Sequence, residues 1–528
     1  MAQKTIIVLF FLFTLGFQAH AKTFVYCSEG SPSAFNPQVV SDGTSINASS
    51  HPLYNRLVDF EYGTTNVIPS LAEKWEISQD KKTYTFFLRK DVKFHTTKYF
   101  SPTRDLNADD VVFSFKRMHD RKNPFHKVGG GSYEYFKGMG MDKLITNIKK
   151  VDEYIVQITL KTPESPFLSN LAMPFMSIIS KEYADGLAKA GKKDDIDVYP
   201  VGTGPFIFKK YIKDNLIRYK ANKAYWGDKP KIKKLVFAIT PDASVRYQKL
   251  KTGECHLIIE PAPADLEAMK KNPQIKVLEK AGMNVGYLAM NTEKKPLDNK
   301  LVRKAIYKAL NKKAYLKAIY LGNAKEAVNP LPPSIWSYDK SRKPIKQNIA
   351  EAKKLLAKAG FPKGFKIDLW TLPVSRPYNP NGKKMGEMMK ADLAKIGIEA
   401  KLVQYDWSTY LKKSNNGEHQ LIQIGWTGDN GDPDNFLHTL LGCAAANGGS
   451  NYAKWCHKKY NELVTMAKTH SDIKKRTALY LKAQSIFHEE VPWVPIAHAK
   501  VFRAMAPNVS GYKISPLGGD IFTWVELK

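Results

Sequence analysis

The sequence has few of the residue combinations on which catalysis or metal chemistry is usually built. Four cysteines stand in 528 residues, and no two of them are spaced C-x-x-C, which argues against zinc ribbons and thioredoxin-like redox motifs. No G-x-S-x-G elbow occurs, since Gly129-Gly130-Gly131-Ser132 lacks the following glycine at the required spacing. No H-E-x-x-H occurs either, because His488-Glu489-Glu490 runs into Val491-Pro492. P-loop and dinucleotide fingerprints are missing. The 12 histidines are scattered, which suits surface or hydrogen-bonded roles better than a metal centre. Past the N-terminus no apolar run approaches the ~20 residues that span a bilayer. Internal repeats and low-complexity tracts are absent as well. Together these gaps argue against an enzyme, a membrane-spanning chain and a repeat array.

The N-terminus carries a positive signal. Lys4 precedes an uncharged stretch from Ile6 to Phe17, and Ala19-His20-Ala21 follows as a small-x-small site. This is the pattern of a secretory signal peptide over residues 1–21, cut after Ala21. No Cys stands at that site, so a lipid anchor is disfavoured. An exported chain with an even count of cysteines favours two disulfides, and Cys27, Cys255, Cys443 and Cys456 allow three pairings. The pairing Cys443–Cys456 closes a short local loop, leaving Cys27–Cys255. The formal charge is +31. Lysine pairs are dispersed along the chain (Lys81-Lys82, Lys149-Lys150, Lys233-Lys234), so a solvated basic surface is preferred to a nucleic-acid footprint, which export also disfavours.

The length suggests two to four domains of α/β type. In Thr83 to Arg89, Tyr84, Phe86 and Leu88 share one strand face. Residues 155–160 and 235–240 read as strands too. Asn107 caps a predicted helix through Val111, Val112 and Phe115. Asp298 is expected to cap another, through Val302, Ile306 and Leu310. Further helices are predicted over 350–359, ending at Gly360, and over 385–396 and 474–487. Breaks are expected at Pro200 to Pro205, at Ala281 to Met283 and near His498.

Two loops stand out. Gly428-Asp429-Asn430-Gly431-Asp432-Pro433-Asp434-Asn435 places three carboxylates in six residues. Its spacing does not fit an EF-hand. It reads as a calcium loop, as a pair of Asx turns, or as a carboxylate beside Trp426 awaiting a cationic ligand. Pro373 to Asn381 is a proline-stiffened loop with Arg376 and Tyr378. It reads as a rigid surface turn or as a mount for a guanidinium that forks onto a carboxylate.

Residues 425–436 (GWTGDNGDPDNF) and 376–381 (RPYNPN) resemble extracellular solute-binding family 5, in particular its periplasmic dipeptide carriers. The stretches at 25–32, 54–58, 107–115, 201–206 and 240–247 match the wider family. The resemblance implies a two-lobed periplasmic binding fold of type II, cluster C-like, with a hinge and an additional domain. Lobe I would hold 22–54, 203–282 and 499–528, the additional domain 55–202, and lobe II 283–498. It also implies the pairs Cys27–Cys255 and Cys443–Cys456. Asp429 would bind a peptide α-ammonium and Arg376 the α-carboxylate. Trp407, Tyr378 and Trp426 would wall the pocket, and the loop with Asp42, Gly43 and Thr44 would offer backbone groups from lobe I. The expected role is to capture dipeptides for an inner-membrane ABC permease, as a monomer without catalysis, cofactor, metal or nucleic acid. Longer peptides, glutathione or haem are alternative ligands, and a secreted peptidase is the reading from a different class.

Overall fold

The computed structural model describes residues 23–528, so the leader and its cleavage site lie outside the described residues. A twelve-stranded mixed sheet organises the chain. On one side run Glu399–Val403, Lys366–Trp370, Leu421–Thr427 and Asn284–Met290. On the other run Leu257–Ile259, Thr23–Ser28, Lys234–Ile239, Leu216–Ala221 and Phe206–Ile212. The long strand Trp493–Met505 joins them. Its first residues pair with Asn284–Met290, while Lys500 to Met505 pair with Lys276–Ala281. His498 therefore lies within a continuous strand, at the point where that strand changes partners. Ala281 and Asn284 bound a second crossing between the two halves.

A separate four-stranded antiparallel sheet holds Ala72–Ile77, Thr83–Leu88, Ile155–Leu160 and Ile145–Asp152 in the order first, second, third, fourth. Tyr84, Phe86 and Leu88 point to its buried face, as the alternation requires. Asn107 caps the helix Ala108–His119 in a reciprocal box with Asp110. The helix Lys300–Ala309 starts one residue later than expected, because Asn299 and not Asp298 accepts from the Leu301 N–H. Val302, Ile306 and Leu310 pack with Leu369, Met389 and Leu393 beneath the sheet. Asn284–Met290 is buried along its whole length, which suits the apolar run from Val285 to Met290.

Both disulfides, Cys27–Cys255 and Cys443–Cys456, are present. Among the described residues no helix is long and apolar enough to cross a membrane.

Candidate functional site

The two halves of the large sheet and the segment that carries the small sheet enclose a cavity of about 180 Å³, against the ~10–15 Å³ that one water needs. Asp42, Gly43, Arg376, Tyr378, Trp407, Trp426 and Asp429 all line it. Thr44 sits just behind, donating from Oγ1 to Glu29 at 2.5 Å. Residues separated by nearly 400 positions thus meet in one wall.

Arg376 is held by a tight turn. Its N–H donates to the Asn379 carbonyl at 3.1 Å, and the Asn379 N–H donates back at 3.0 Å. The guanidinium lies over the Trp407 ring, 5.0 Å from its centroid. Nη1 donates to Glu29 Oε1 at 3.1 Å. Burial works against this charge, but Glu260 and Glu29 outweigh it and hold the guanidinium firmly protonated. The neighbouring Tyr378 ring needs Gly425: a Cβ there would meet Tyr378 Cδ2 at 2.3 Å.

The acidic loop divides its carboxylates between two tasks. Asn430 Oδ1 accepts from the Asp432 N–H at 3.0 Å, and Asp432 Oδ1 accepts from the Asp434 N–H at 2.9 Å. These are the two Asx turns. Asp432 also pairs with Arg476 at 2.8 Å, and Asp434 lies 4.0 Å from Lys468. Among the described residues no group of three or more His, Cys, Asp or Glu is arranged to hold a metal ion. Asp429 is different. It faces the cavity and receives the Tyr135 hydroxyl on Oδ2 at 3.1 Å, and among the described residues no cation bears on its charge. Burial pushes its carboxyl up to about 7, against the opposing hydrogen bonds of Asn435 and Tyr135. Asn435 Oδ1 ties the wall together, accepting from the Asp429 N–H at 2.9 Å and from Trp426 Nε1 at 3.0 Å.

Asp42 caps the helix Gly43–Leu53 by accepting from the Ser45 N–H at 3.0 Å. Its carboxylate is thereby occupied, and the first helical N–H groups lie at the cavity wall. Sequence reasoning missed Glu29, Tyr135, Glu260, Asn435 and Arg503. Glu29 and Asn435 lie inside the distinctive stretches 25–32 and 425–436. Tyr135, Glu260 and Arg503 carry no local signal.

The model of bacterial extracellular solute-binding proteins, family 5, matches residues 66–448. The dipeptide-binding protein of Escherichia coli K12 is 54% identical over 515 residues, covering 98% of this chain and 96% of that one. Haem-binding protein A of Haemophilus influenzae is 48% identical over 505 residues, covering 96% and 92%. The dipeptide binding protein of Pseudoalteromonas sp. SM9913, solved with Met-Leu, superposes with a TM-score of 0.93 at 40% identity, covering 96% of this chain and all of that one. An ABC transporter-associated periplasmic binding protein of Helicobacter pylori, solved with the peptide STSA, gives 0.92 at 41% identity, covering 96% and 98%.

Proposed function

The chain belongs to the bacterial extracellular solute-binding proteins of family 5, and on that footing we propose that it captures dipeptides by their two free ends and delivers them to an ABC permease. The observation that carries this reading is Asp429, a cavity carboxylate with no cation beside it among the described residues, in the same cavity as Arg376. A half-buried carboxylate is costly unless paired, and a ligand ammonium supplies the missing charge. The Arg376 fork takes the α-carboxylate in two hydrogen bonds. Gly43 and Thr44 offer free N–H groups to the peptide backbone. Trp407, Tyr378 and Trp426 keep water from the two charges and leave side chains to roomy, wet pockets. No bond of the ligand needs to break, so the role is capture and not catalysis.

The lobes assigned are 22–54, 203–282 and 499–528 for the first, 283–498 for the second, and 55–202 for the additional domain. The strand Trp493–Met505, shared by both sheet halves, supports a hinge at residues 498–499. Ligand contacts from both sides favour the closed state by their differential affinity. The protein works in the periplasm as a monomer after removal of residues 1–21. A tetrapeptide in one relative and the haem-binding name of another keep longer peptides and haem as competing ligands.

The test is to purify the protein, denature it, and identify the released molecules by mass spectrometry. Dipeptides are expected. A single longer peptide or haem in their place would overturn the reading. Free amino acids accumulating from added dipeptide would show a peptidase.

A further inference from the structure

Glu260 is a cavity carboxylate that the capture model does not use. It follows the strand Leu257–Ile259 and adopts φ +47, a left-handed conformation unfavourable to a non-glycine residue. Arg246 enforces this. Its guanidinium donates to the carbonyls of Ile259 at 2.9 Å, Glu260 at 3.0 Å, Thr240 at 2.8 Å and Pro241 at 2.7 Å. The backbone is clamped so that the side chain lines the cavity. Its Oε2 is sealed from solvent and has no hydrogen-bond partner among the described residues.

Every cation near Glu260 is already engaged. Arg376 pairs with Glu29 at 3.1 Å, and Arg503 with Asp520 at 2.8 Å. Arg246 is spent on carbonyls. The other titratable groups facing this cluster are Asp42 and Tyr378 beside Arg376, Asp242 beside Arg246, and the neutral Tyr26 and Tyr512 hydroxyls on Asp520. Burial pushes the Glu260 carboxyl up to about 7, opposed by Arg376 and Arg503 and reinforced by Glu29.

A dipeptide carboxylate arriving at Arg376 adds another anion to a cluster that already holds Glu29 and Glu260. Glu29 keeps two donors, Thr44 and Arg376. Glu260 has an oxygen with none, so it is the group that loses least by becoming neutral. We infer that Glu260 takes up a proton from solvent when a ligand carboxylate docks at Arg376, making capture of a free C-terminus a proton-consuming step. The inference rests on the carboxylate reading of Arg376. Its consequence is that Glu260 weakens dipeptide binding as pH rises above about 7, opposite in sign to Asp429, whose carboxylate must ionise to meet the ammonium.

The test is calorimetry of dialanine and dialanine amide in two buffers of different ionisation enthalpy, with wild type and Glu260→Gln. At pH 7.5 the wild type is expected to take up roughly three-quarters of a proton more than E260Q on binding dialanine. The two proteins should bind alike at pH 6, and the wild type about tenfold more weakly than E260Q at pH 8. Asp429 also titrates near neutrality, but it is common to both proteins and cancels in the difference. Should E260Q fail to fold, the wild type alone decides: dialanine should take up more protons than its amide, after correction for the ligands' own amino groups. Equal affinity of the wild type for dialanine and its amide would overturn the reading of Arg376 and this inference with it. Tighter binding of free dialanine with no proton difference would overturn the role of Glu260 alone. So would uptake that persists in E260Q and disappears in Glu29→Gln.

Discussion

Arg376 and Glu29 are joined across the cleft, Nη1 to Oε1 at 3.1 Å, with both side chains almost fully buried. One sits on the loop after Lys366–Trp370 and the other follows Thr23–Ser28, so the contact links opposite halves of the large sheet. The residue assigned to the ligand carboxylate thus also ties the two halves of the sheet together. A charge in that position is useful only if its geometry is fixed, and a fork fixes it better than a point charge.

Arg376→Lys keeps the charge and loses the fork. It should weaken binding of free dipeptides by tenfold or more, and binding of C-terminally amidated ones by much less. Calorimetry with both ligands checks this. A uniform loss for the two would assign Arg376 to that tie alone.

Asp429→Asn should separate stability from binding. The folded-state value of about 7 lies above the unfolded ~3.9. The empty protein therefore gains stability from this group at low pH and loses it as pH rises from about 4 through 7. Asn removes that loss, so empty D429N should melt at a higher temperature than wild type at pH 8 and at nearly the same temperature at pH 4. A gain on the order of 1–2 kcal/mol is expected after allowing for partial exposure. Dipeptide should raise the wild-type melting temperature and leave that of D429N unmoved. Equal ligand-induced shifts in both would remove Asp429 from the site.

Glu134 holds the seam without lining the cavity. Its Oε2 accepts from Ser41 Oγ and its Oε1 from Ser450 Oγ, each at 2.7 Å. Glu134→Ala should open the empty protein, seen as a larger radius of gyration in small-angle scattering. Dipeptide affinity should fall several-fold through the lost closed population, although the side chains assigned to ligand contact are unchanged. Unaltered scattering and affinity would show that the seam closes without it.

Lys468 is buried between Glu164 at 2.8 Å and Asp434 at 4.0 Å, joining the small-sheet segment to the acidic loop. Burial already pushes Glu164 up to about 7 and raises Asp434. Lys468→Met strands both carboxylates, and a cost of about 3–5 kcal/mol is expected. Protonation relieves it, so urea denaturation should show a smaller penalty at pH 5 than at pH 8. A penalty independent of pH would mean that packing and not charge is lost.

Asp429 and Arg376 were legible in the sequence because unusual loops carry them. Three acids among glycine and proline, and an arginine between prolines, stand out without any partner in view. The Asx turns within residues 430–434 were legible for the same local reason. Tyr135, Glu260 and Arg503 were not. Each joins the site only when segments more than 100 residues apart fold together, and no local pattern marks them. The boundary expected near His498 coincides with a change of strand partner inside one continuous strand, which an apolar run does not announce. The helix start at Asn299 in place of Asp298 is a choice between adjacent good caps that tertiary packing decides.

The central claim is that one ligand ammonium neutralises Asp429 while one ligand carboxylate meets Arg376. Calorimetric titration of the wild type with dialanine and N-acetyl-dialanine at pH 7 tests it most directly. Acetylation turns the ammonium into a neutral amide, and the desolvated pair should contribute well over 1.5 kcal/mol, so a loss of more than tenfold in affinity is expected. Equal affinity for the two peptides would contradict the account.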